Sequence, residues 1–289
     1  MIQRRLPEWL TVKAPKRGAY EELSSYLASM GLHTVCQSAK CPNIGECFSK
    51  GTATFMILGN VCTRNCGFCG VQHGTPLPVD PEEPNRVALA AAEMGLKYVV
   101  ITSVTRDDLP DGGADQFAQT IRHIHAKIPE AKVEVLIPDF GGSVDSLRTV
   151  LEAKPFVLNH NIETVSRLYT TVRPQADYVR SLRLLETARQ IAPSIYTKSG
   201  FMVGLGESRE EVINLLQDLR SSGCDIVTIG QYLRPSKSNL PVVEYVPPAV
   251  FEEYKQIAES LGFLFVASGP FVRSSYHAEA VVGKGLNSC

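Results

Sequence analysis

From Ala53 onward the chain alternates between short β-rich apolar runs and longer stretches with helical periodicity. The runs are ATFMIL (53–58), KYVVITS (97–103), KVEVLIP (132–138), FVLNHNIE (156–163), IYTKSGFMVG (195–204) and DIVTIGQYL (225–233). Between them lie amphipathic patterns such as NRVALAAAEMGL, ADQFAQTIRHIHAKI, SVDSLRTVLEA, RSLRLLETARQIA and SREEVINLLQDLRSSG, several closed by Gly or Pro as helix C-termini prefer. Six strand-then-helix units predict an α/β fold, a parallel sheet with helices on its outer face. Right-handed crossovers curl such a sheet, and six units are too few for an eight-stranded closed form, so the expectation is a partial (β/α)6 barrel. FLFVAS (263–268) is a candidate seventh strand. Polar residues gather at strand C-terminal ends, at Thr102 to Asp108, Asn159 to Glu163 and Gln231 to Ser236. In barrel-like folds that rim carries the chemistry.

The first fifty residues read differently. A short amphipathic helix around YEELSSYLASMGL, ended by Gly31, leads into a cysteine-rich segment. The expected division is an N-terminal extension (1–50), the barrel (51–240) and a C-terminal extension (241–289).

Composition changes this picture only locally. The 289 residues carry 29 basic and 30 acidic side chains, a net charge of −1, so no general basic excess points to nucleic acid. The exception is Arg4, Arg5, Lys13, Lys16 and Arg17, which form either a solvated arm or a docking strip for an acidic partner. No apolar run approaches the roughly 20 residues needed to cross a bilayer. The opening MIQRRLPEWLTVKAP resembles neither a signal nor a transit peptide, so a cytoplasmic location without membrane attachment is expected. Disulfides do not persist in a reducing compartment, so eight cysteines there imply metal or redox chemistry.

Six of those cysteines fall into two triplets. Cys62, Cys66 and Cys69 form C-x3-C-x2-C in the loop after the first strand, and Cys36, Cys41 and Cys47 form C-x4-C-x5-C just upstream. Three thiolates fit an iron–sulfur cluster with one iron left open, whereas a structural zinc site wants four ligands. Cys224 opens a strand and reads as a small core residue, and Cys289 is terminal, so neither readily completes a zinc site. Zinc remains the competing possibility at this point.

C-x3-C-x2-C with Phe68 before its last cysteine, after the first strand of an α/β barrel, resembles the radical S-adenosylmethionine superfamily. The upstream triplet is similar to the auxiliary-cluster signature of the lipoyl synthase family. RLPEWL, TSVTRDDLPDGGA, NHNIETV, VRPQADY, KSGFMVGLGE, QYLRPS and GPFVRSSYHA extend that resemblance over nearly the whole chain. It implies two [4Fe-4S] clusters and S-adenosylmethionine as cofactors. Cys62, Cys66 and Cys69 would ligate the first cluster, whose open iron chelates S-adenosylmethionine; reductive cleavage then yields a 5′-deoxyadenosyl radical. Cys36, Cys41, Cys47 and, by position in RSSY, Ser275 would ligate the auxiliary cluster. A hard serine oxygen is a displaceable ligand beside three soft thiolates. Without the triplets, Ser274 and Ser275 would read as a turn making local hydrogen bonds.

The implied reaction inserts two sulfur atoms at carbons 6 and 8 of an octanoyl chain amide-linked to a carrier-protein lysine. Such a C–H bond is beyond any side-chain base, so a cofactor-generated radical must break it, with the auxiliary cluster as sulfur donor. Implied partners are an octanoylated carrier domain (glycine cleavage H protein or an E2 lipoyl domain), a reductant such as ferredoxin or flavodoxin, and an iron–sulfur carrier. Expected S-adenosylmethionine contacts are Phe68 on the adenine side, Thr105 in the glycine-containing SVTRDDLPDGGA stretch, Asn159 and Glu163 on ribose or amino group, and Lys198 and Arg173 on the carboxylate. GLGE (204–207) lacks a phosphate-loop ending and reads as a backbone support for adenine. His123, His125 and His160 receive no role. A biotin-synthase-like enzyme and a non-catalytic zinc or iron–sulfur scaffold are the alternatives; the C-x4-C-x5-C triplet and RSSY weigh against the former.

Overall fold

Strands rich in Val, Ile and Thr, buried on both faces as in β9 (Ile226–Gln231), build the sheet with amphipathic helices packed on it. A computed structural model of the protein describes residues 6–11, 18–49 and 52–283. The basic positions Arg4, Arg5, Lys13, Lys16 and Arg17, and the terminal Cys289, lie outside the described residues. All six expected strands are present: β2 (Thr54–Ile57), β5 (Tyr98–Ser103), β6 (Lys132–Leu136), β7 (Val157–Asn159), β8 (Tyr196–Val203) and β9 (Ile226–Gln231). The candidate seventh is β10 (Phe265–Gly269), and a short β1 (His33–Thr34) precedes them. The order is β1-β2-β5-β6-β7-β8-β9-β10, parallel throughout except for antiparallel β1 on β2. The barrel is not closed, since β1 and β10 remain its two edges. A two-stranded ribbon, β3 (Val61–Cys62) and β4 (Gln72–His73), flanks the first cysteine-bearing loop.

Helices cover the convex face. In α5 (Ala114–Lys127) the buried Phe117, Ile121 and Ile124 recur at helical spacing, which is why the segment is a helix and which side it buries. Ser143 caps α6 (Val144–Glu152), Asp177 caps α8 (Tyr178–Ile191), and Ser208 forms a capping box with Glu211 on α9 (Arg209–Ser221). Alternation along the strands sorts side chains by face. Phe201, Val203, Val227 and Ile229 pack with the helix residues Val212, Leu215 and Leu219. Their neighbours Lys198, Gly200, Thr228 and Gly230 therefore line the concave face.

The chain after β10 turns back across that concave face. Gly230 is glycine because a Cβ there would overlap Val272 O, and a Cβ on Gly200 would overlap Thr228 Oγ1 and crowd Ser274 Oγ. Ser274 Oγ donates to Asn161 Oδ1 at 2.8 Å, and Val281 packs with Val157 and Ile226. The same segment meets the N-terminal portion: Asn43 Nδ2 donates to Phe271 O at 2.7 Å and Tyr276 Oη to Glu46 Oε2 at 3.0 Å. The two extensions thus pack on each other across the open side of the sheet.

Candidate functional site

Cys62 closes β3, and the loop that follows is fastened on three sides. Thr63 N–H and Oγ1 both donate to Thr105 O at 3.0 Å, and Asp107 N–H donates to Thr63 Oγ1 at 3.1 Å. Gly67 N–H donates to Val172 O at 2.9 Å. Leu240 N–H donates to Gly67 O at 2.9 Å, and Asn239 Nδ2 to Cys69 O at 2.8 Å. Arg64, only 7% exposed, forms a fork to both Asp107 oxygens and a third bond to Asp139 Oδ1, each at 2.7 Å. Burial works against the guanidinium charge, but Asp107 and Asp139 outweigh it and hold the Arg64 pKa above its usual range. Burial likewise opposes the Asp139 charge, yet Arg64 draws its pKa below the carboxylate range.

The thiols meet in this frame. Burial pushes the Cys69 thiol up to about 12, and Cys66 and Cys62 add to the effect; Cys66 is also raised, mainly by burial. Arg64 N–H and Thr105 N–H point at Cys62 Sγ at 3.4 and 3.3 Å, and Val71 N–H at Cys69 Sγ at 3.5 Å. Backbone donors aimed at sulfurs suit thiolates that share a cluster, and hydrogen bonds of this kind tune its potential. Burial makes the bare thiolates costly, so a cationic group among them is what the donor set favours.

The upstream triplet is a second thiol group. Thr34 caps α2 (Val35–Ser38), which carries the buried Cys36, and α3 (Ile44–Ser49) carries Cys47. Cys41 lies between them, with its N–H bonded to Cys36 O at 3.0 Å. Burial raises Cys36 to about 11 and Cys47 to about 12, and each feels the charge of Cys41. Arg273 faces Cys41, and Tyr276 feels both Cys47 and Cys41. The half-buried Ser275 lies between these two residues, in the segment that packs against the triplet. The two cysteine loops touch, since a Cβ on Gly70 would lie 3.3 Å from Ser38 O and 3.4 Å from Ala39 Cα. A cavity of about 360 Å³ opens beside this contact, lined by Lys40, Cys66, Cys69, His73 and Ser236 among others. Among the described residues no three His, Cys, Asp or Glu side chains converge to hold a single metal ion. Ligands of a multi-iron cluster bind different irons and stand further apart than those of one tetrahedral ion.

The remaining expected residues divide. Glu163 has a left-handed backbone (φ 66°) and accepts from Asn161 Nδ2 at 3.0 Å; burial raises its pKa against the pull of Arg173. Arg173 lies beside Glu163 and Cys66, and its Nε is buried without a hydrogen-bond partner among the described residues. Phe68 packs with Val172, Leu205 and Tyr232. Thr105 contributes its backbone, as described. Lys198 and Asn159 form a different group: Lys198 Nζ pairs with Glu134 Oε1 at 2.7 Å, Asn159 Nδ2 donates to that oxygen at 3.3 Å, and Tyr98 Oη to Glu134 Oε2 at 2.7 Å. In GLGE, Glu207 accepts from the N–H groups of Gly204 and Leu205, so those donors are used inside the loop rather than offered to a ligand.

Sequence reasoning passed over Arg64, Asp107 and Asp139. Arg64 sits inside the cysteine motif and Asp107 in a polar rim stretch, which are usable signals. The Asp139 partnership joins residues 75 positions apart and has no local signature.

The radical SAM superfamily family model matches residues 56–219. The lipoyl synthase of Caldanaerobacter subterraneus subsp. tengcongensis is 59% identical over 95% of this chain and 96% of that protein. Those of Caldicellulosiruptor saccharolyticus (57%; 96% and 98% covered) and Haemophilus influenzae (51%; 97% and 88%) are similarly close. Among solved structures, methylornithine synthase superposes with a TM-score of 0.51 over 90% of this chain and 88% of that one at 14% identity, a likeness of fold. Streptococcus suis SuiB bound to S-adenosylmethionine gives 0.56 over 75% of this chain and 50% of that one at 12% identity. With two gathered thiol groups on a parallel, unclosed barrel and this identity over nearly its full length, the chain belongs to the lipoyl synthase family of radical SAM enzymes.

Proposed function

We propose that the enzyme inserts two sulfur atoms, at carbons 6 and 8, into an octanoyl chain carried on the lysine of a lipoyl carrier domain. When bound, the first [4Fe-4S] cluster and S-adenosylmethionine supply the radical chemistry that an unactivated C–H bond requires. Cys62, Cys66 and Cys69 would hold that cluster, and the donor set fits it: three thiols, two of them under backbone N–H groups. Arg64, tied to Asp107 and Asp139, fixes the loop that carries them. Arg173, with an unfilled Nε, would engage the carboxylate of S-adenosylmethionine, and Glu163 its amino group or ribose. Phe68, in its apolar surroundings, would border the adenine.

Cys36, Cys41, Cys47 and Ser275 would hold a second [4Fe-4S] cluster, the sulfur donor. The observation that carries this reading is the packing of the segment containing Ser275 against the Cys41 and Cys47 region, about 230 residues away in sequence. Lys40 and His73 border the cavity at Cys66 and Cys69, a basic rim suited to an acidic reductant such as ferredoxin or flavodoxin. The carrier would be a glycine cleavage H protein or an E2 lipoyl domain, and an iron–sulfur carrier would restore the spent cluster.

The test is mass spectrometry of an octanoyl-lysine peptide incubated with anaerobically reconstituted enzyme, dithionite and S-adenosylmethionine. Gain of two sulfur atoms with release of 5′-deoxyadenosine is expected. Absence of both from protein containing iron would reject the assignment.

A further inference from the structure

His160 is 1% exposed in the loop after β7, facing Ser181 on α8, and no step above uses it. Its Nδ1 lies 2.9 Å from Ile137 O and its Nε2 3.1 Å from Ser181 Oγ. A carbonyl oxygen only accepts, so Nδ1 carries the proton and Nε2 of the neutral ring is an acceptor. Burial keeps the ring in that neutral form. Ser181 Oγ–H can then donate to Nε2, which leaves its oxygen to accept from Tyr169 Oη at 3.3 Å. Tyr169 Oη in turn accepts from Arg173 Nη1 at 3.1 Å. The donors run in one direction, from Arg173 through Tyr169 and Ser181 to His160 and the Ile137 carbonyl. Tyr169 and Ser181 also have the carbonyls of Ile162 (2.8 Å) and Asp177 (3.0 Å) within reach. His160 is what makes the aligned arrangement available, because Nε2 would otherwise lack a donor.

Arg173 is the end of this chain that meets the site. Its Nη1 also donates to Asn161 O at 2.9 Å, and its guanidinium lies 5.4 Å from the centre of the Tyr169 ring. These contacts occupy one edge of the planar group and leave Nε free. The orientation of such a fork decides whether it can meet a carboxylate in two-point geometry.

We propose that His160, Ser181 and Tyr169 are positioning residues that hold the Arg173 guanidinium turned toward the carboxylate of S-adenosylmethionine. The proposal rests on the reading of Arg173 given above. The experiment uses full-length, cluster-reconstituted enzyme, with S-adenosylmethionine affinity measured from the change it causes in the paramagnetic spectrum of the reduced cluster. KM, kcat and thermal unfolding are recorded alongside. Y169F, S181A and H160L are each expected to raise Kd and KM for S-adenosylmethionine about 10-fold, with iron content and kcat at saturation near wild type. The double variant Y169F/H160L should lose no more than the worse single one, since both break the same chain. H160Q, which keeps an acceptor near the Nε2 position, should recover most of the affinity. Unchanged affinity with a lowered melting temperature would mean a purely structural network and overturn the proposal, as would additive losses in the double variant. Y169F retains the ring and remains informative should H160L not fold. R173A separates the two levels: unchanged affinity there refutes the reading of Arg173, whereas a loss in R173A without loss in Y169F, S181A and H160L refutes the chain alone.

Discussion

Two thiol groups with the same chemistry face different neighbours, and their variants should differ accordingly. Cys62 lies under backbone donors on the barrel rim, beside a loop held by Arg64, whereas Cys41 faces Arg273 of the returning C-terminal segment. Replacing Cys62, Cys66 or Cys69 with Ala is expected to abolish 5′-deoxyadenosine formation. Replacing Cys36, Cys41 or Cys47 should spare that cleavage and stop sulfur insertion. Chromatographic assay of 5′-deoxyadenosine in folded variants checks both, and equal loss of cleavage in the two sets would refute the division. Gly230 offers a test that touches no cysteine. G230A forces a Cβ into Val272 O, so it should cost about 1–3 kcal/mol and shift the segment that carries Ser275. Iron analysis should then fall from about eight toward about four per chain, with cleavage retained.

At the scale of elements, the rim loops after β3, β5 and β6 are joined through Arg64. Ala in place of Arg64 leaves Asp139, 1% exposed, without its main counter-charge. A loss of about 3–5 kcal/mol in denaturant unfolding is expected, together with weaker retention of the first cluster. The loop after β7 carries a pH-dependent element. Burial takes His160 from the ordinary 6.5 to about 4, with the nearby Arg173 adding to the shift and Asp139 opposing it. A base whose folded pKa is depressed binds fewer protons than in the unfolded chain, so stability is full above about 6.5 and declines as pH falls toward 4. The decline attributable to this ring is about 3 kcal/mol, and H160Q should show a flatter stability profile over that interval, read from denaturant midpoints at each pH.

At the scale of the whole molecule, the segment after β10 joins the cysteine-bearing segment before β2 and the sheet itself. Phe271 O accepts from Asn43, Tyr276 reaches Glu46, and Val281 packs on Val157 and Ile226. Truncation after Gly269 should therefore destabilise the N-terminal triplet as well as remove Ser275, while β2 through β10 keep their helices. The expected outcome is a chain with native-like far-ultraviolet dichroism, about half the iron, and no sulfur insertion. Full iron content in the truncated chain would show that the C-terminal segment contributes nothing to the second thiol group.

Sequence alone located β2, β5 to β10 and the main helices between them, because continuous apolar runs and the 3.6-residue periodicity of helices are local properties; the two-residue strands β1, β3 and β4 have no such run. Both triplets are likewise legible, because motif spacing is written along the chain; the link between the upstream triplet and RSSY is implied by the family resemblance and not by spacing. Tertiary structure decided what each rim residue meets. Arg64 reaches Asp139, Lys198 is committed to Glu134 within the concave face, and Glu207 uses the donors of its own GLGE loop. The roles of Gly200 and Gly230 emerge only when the segment after β10 crosses them. None of these has a local signature: each joins groups whose proximity depends on sheet order and on the path of the C-terminal segment, and a buried polar group takes the partner that packing brings to it.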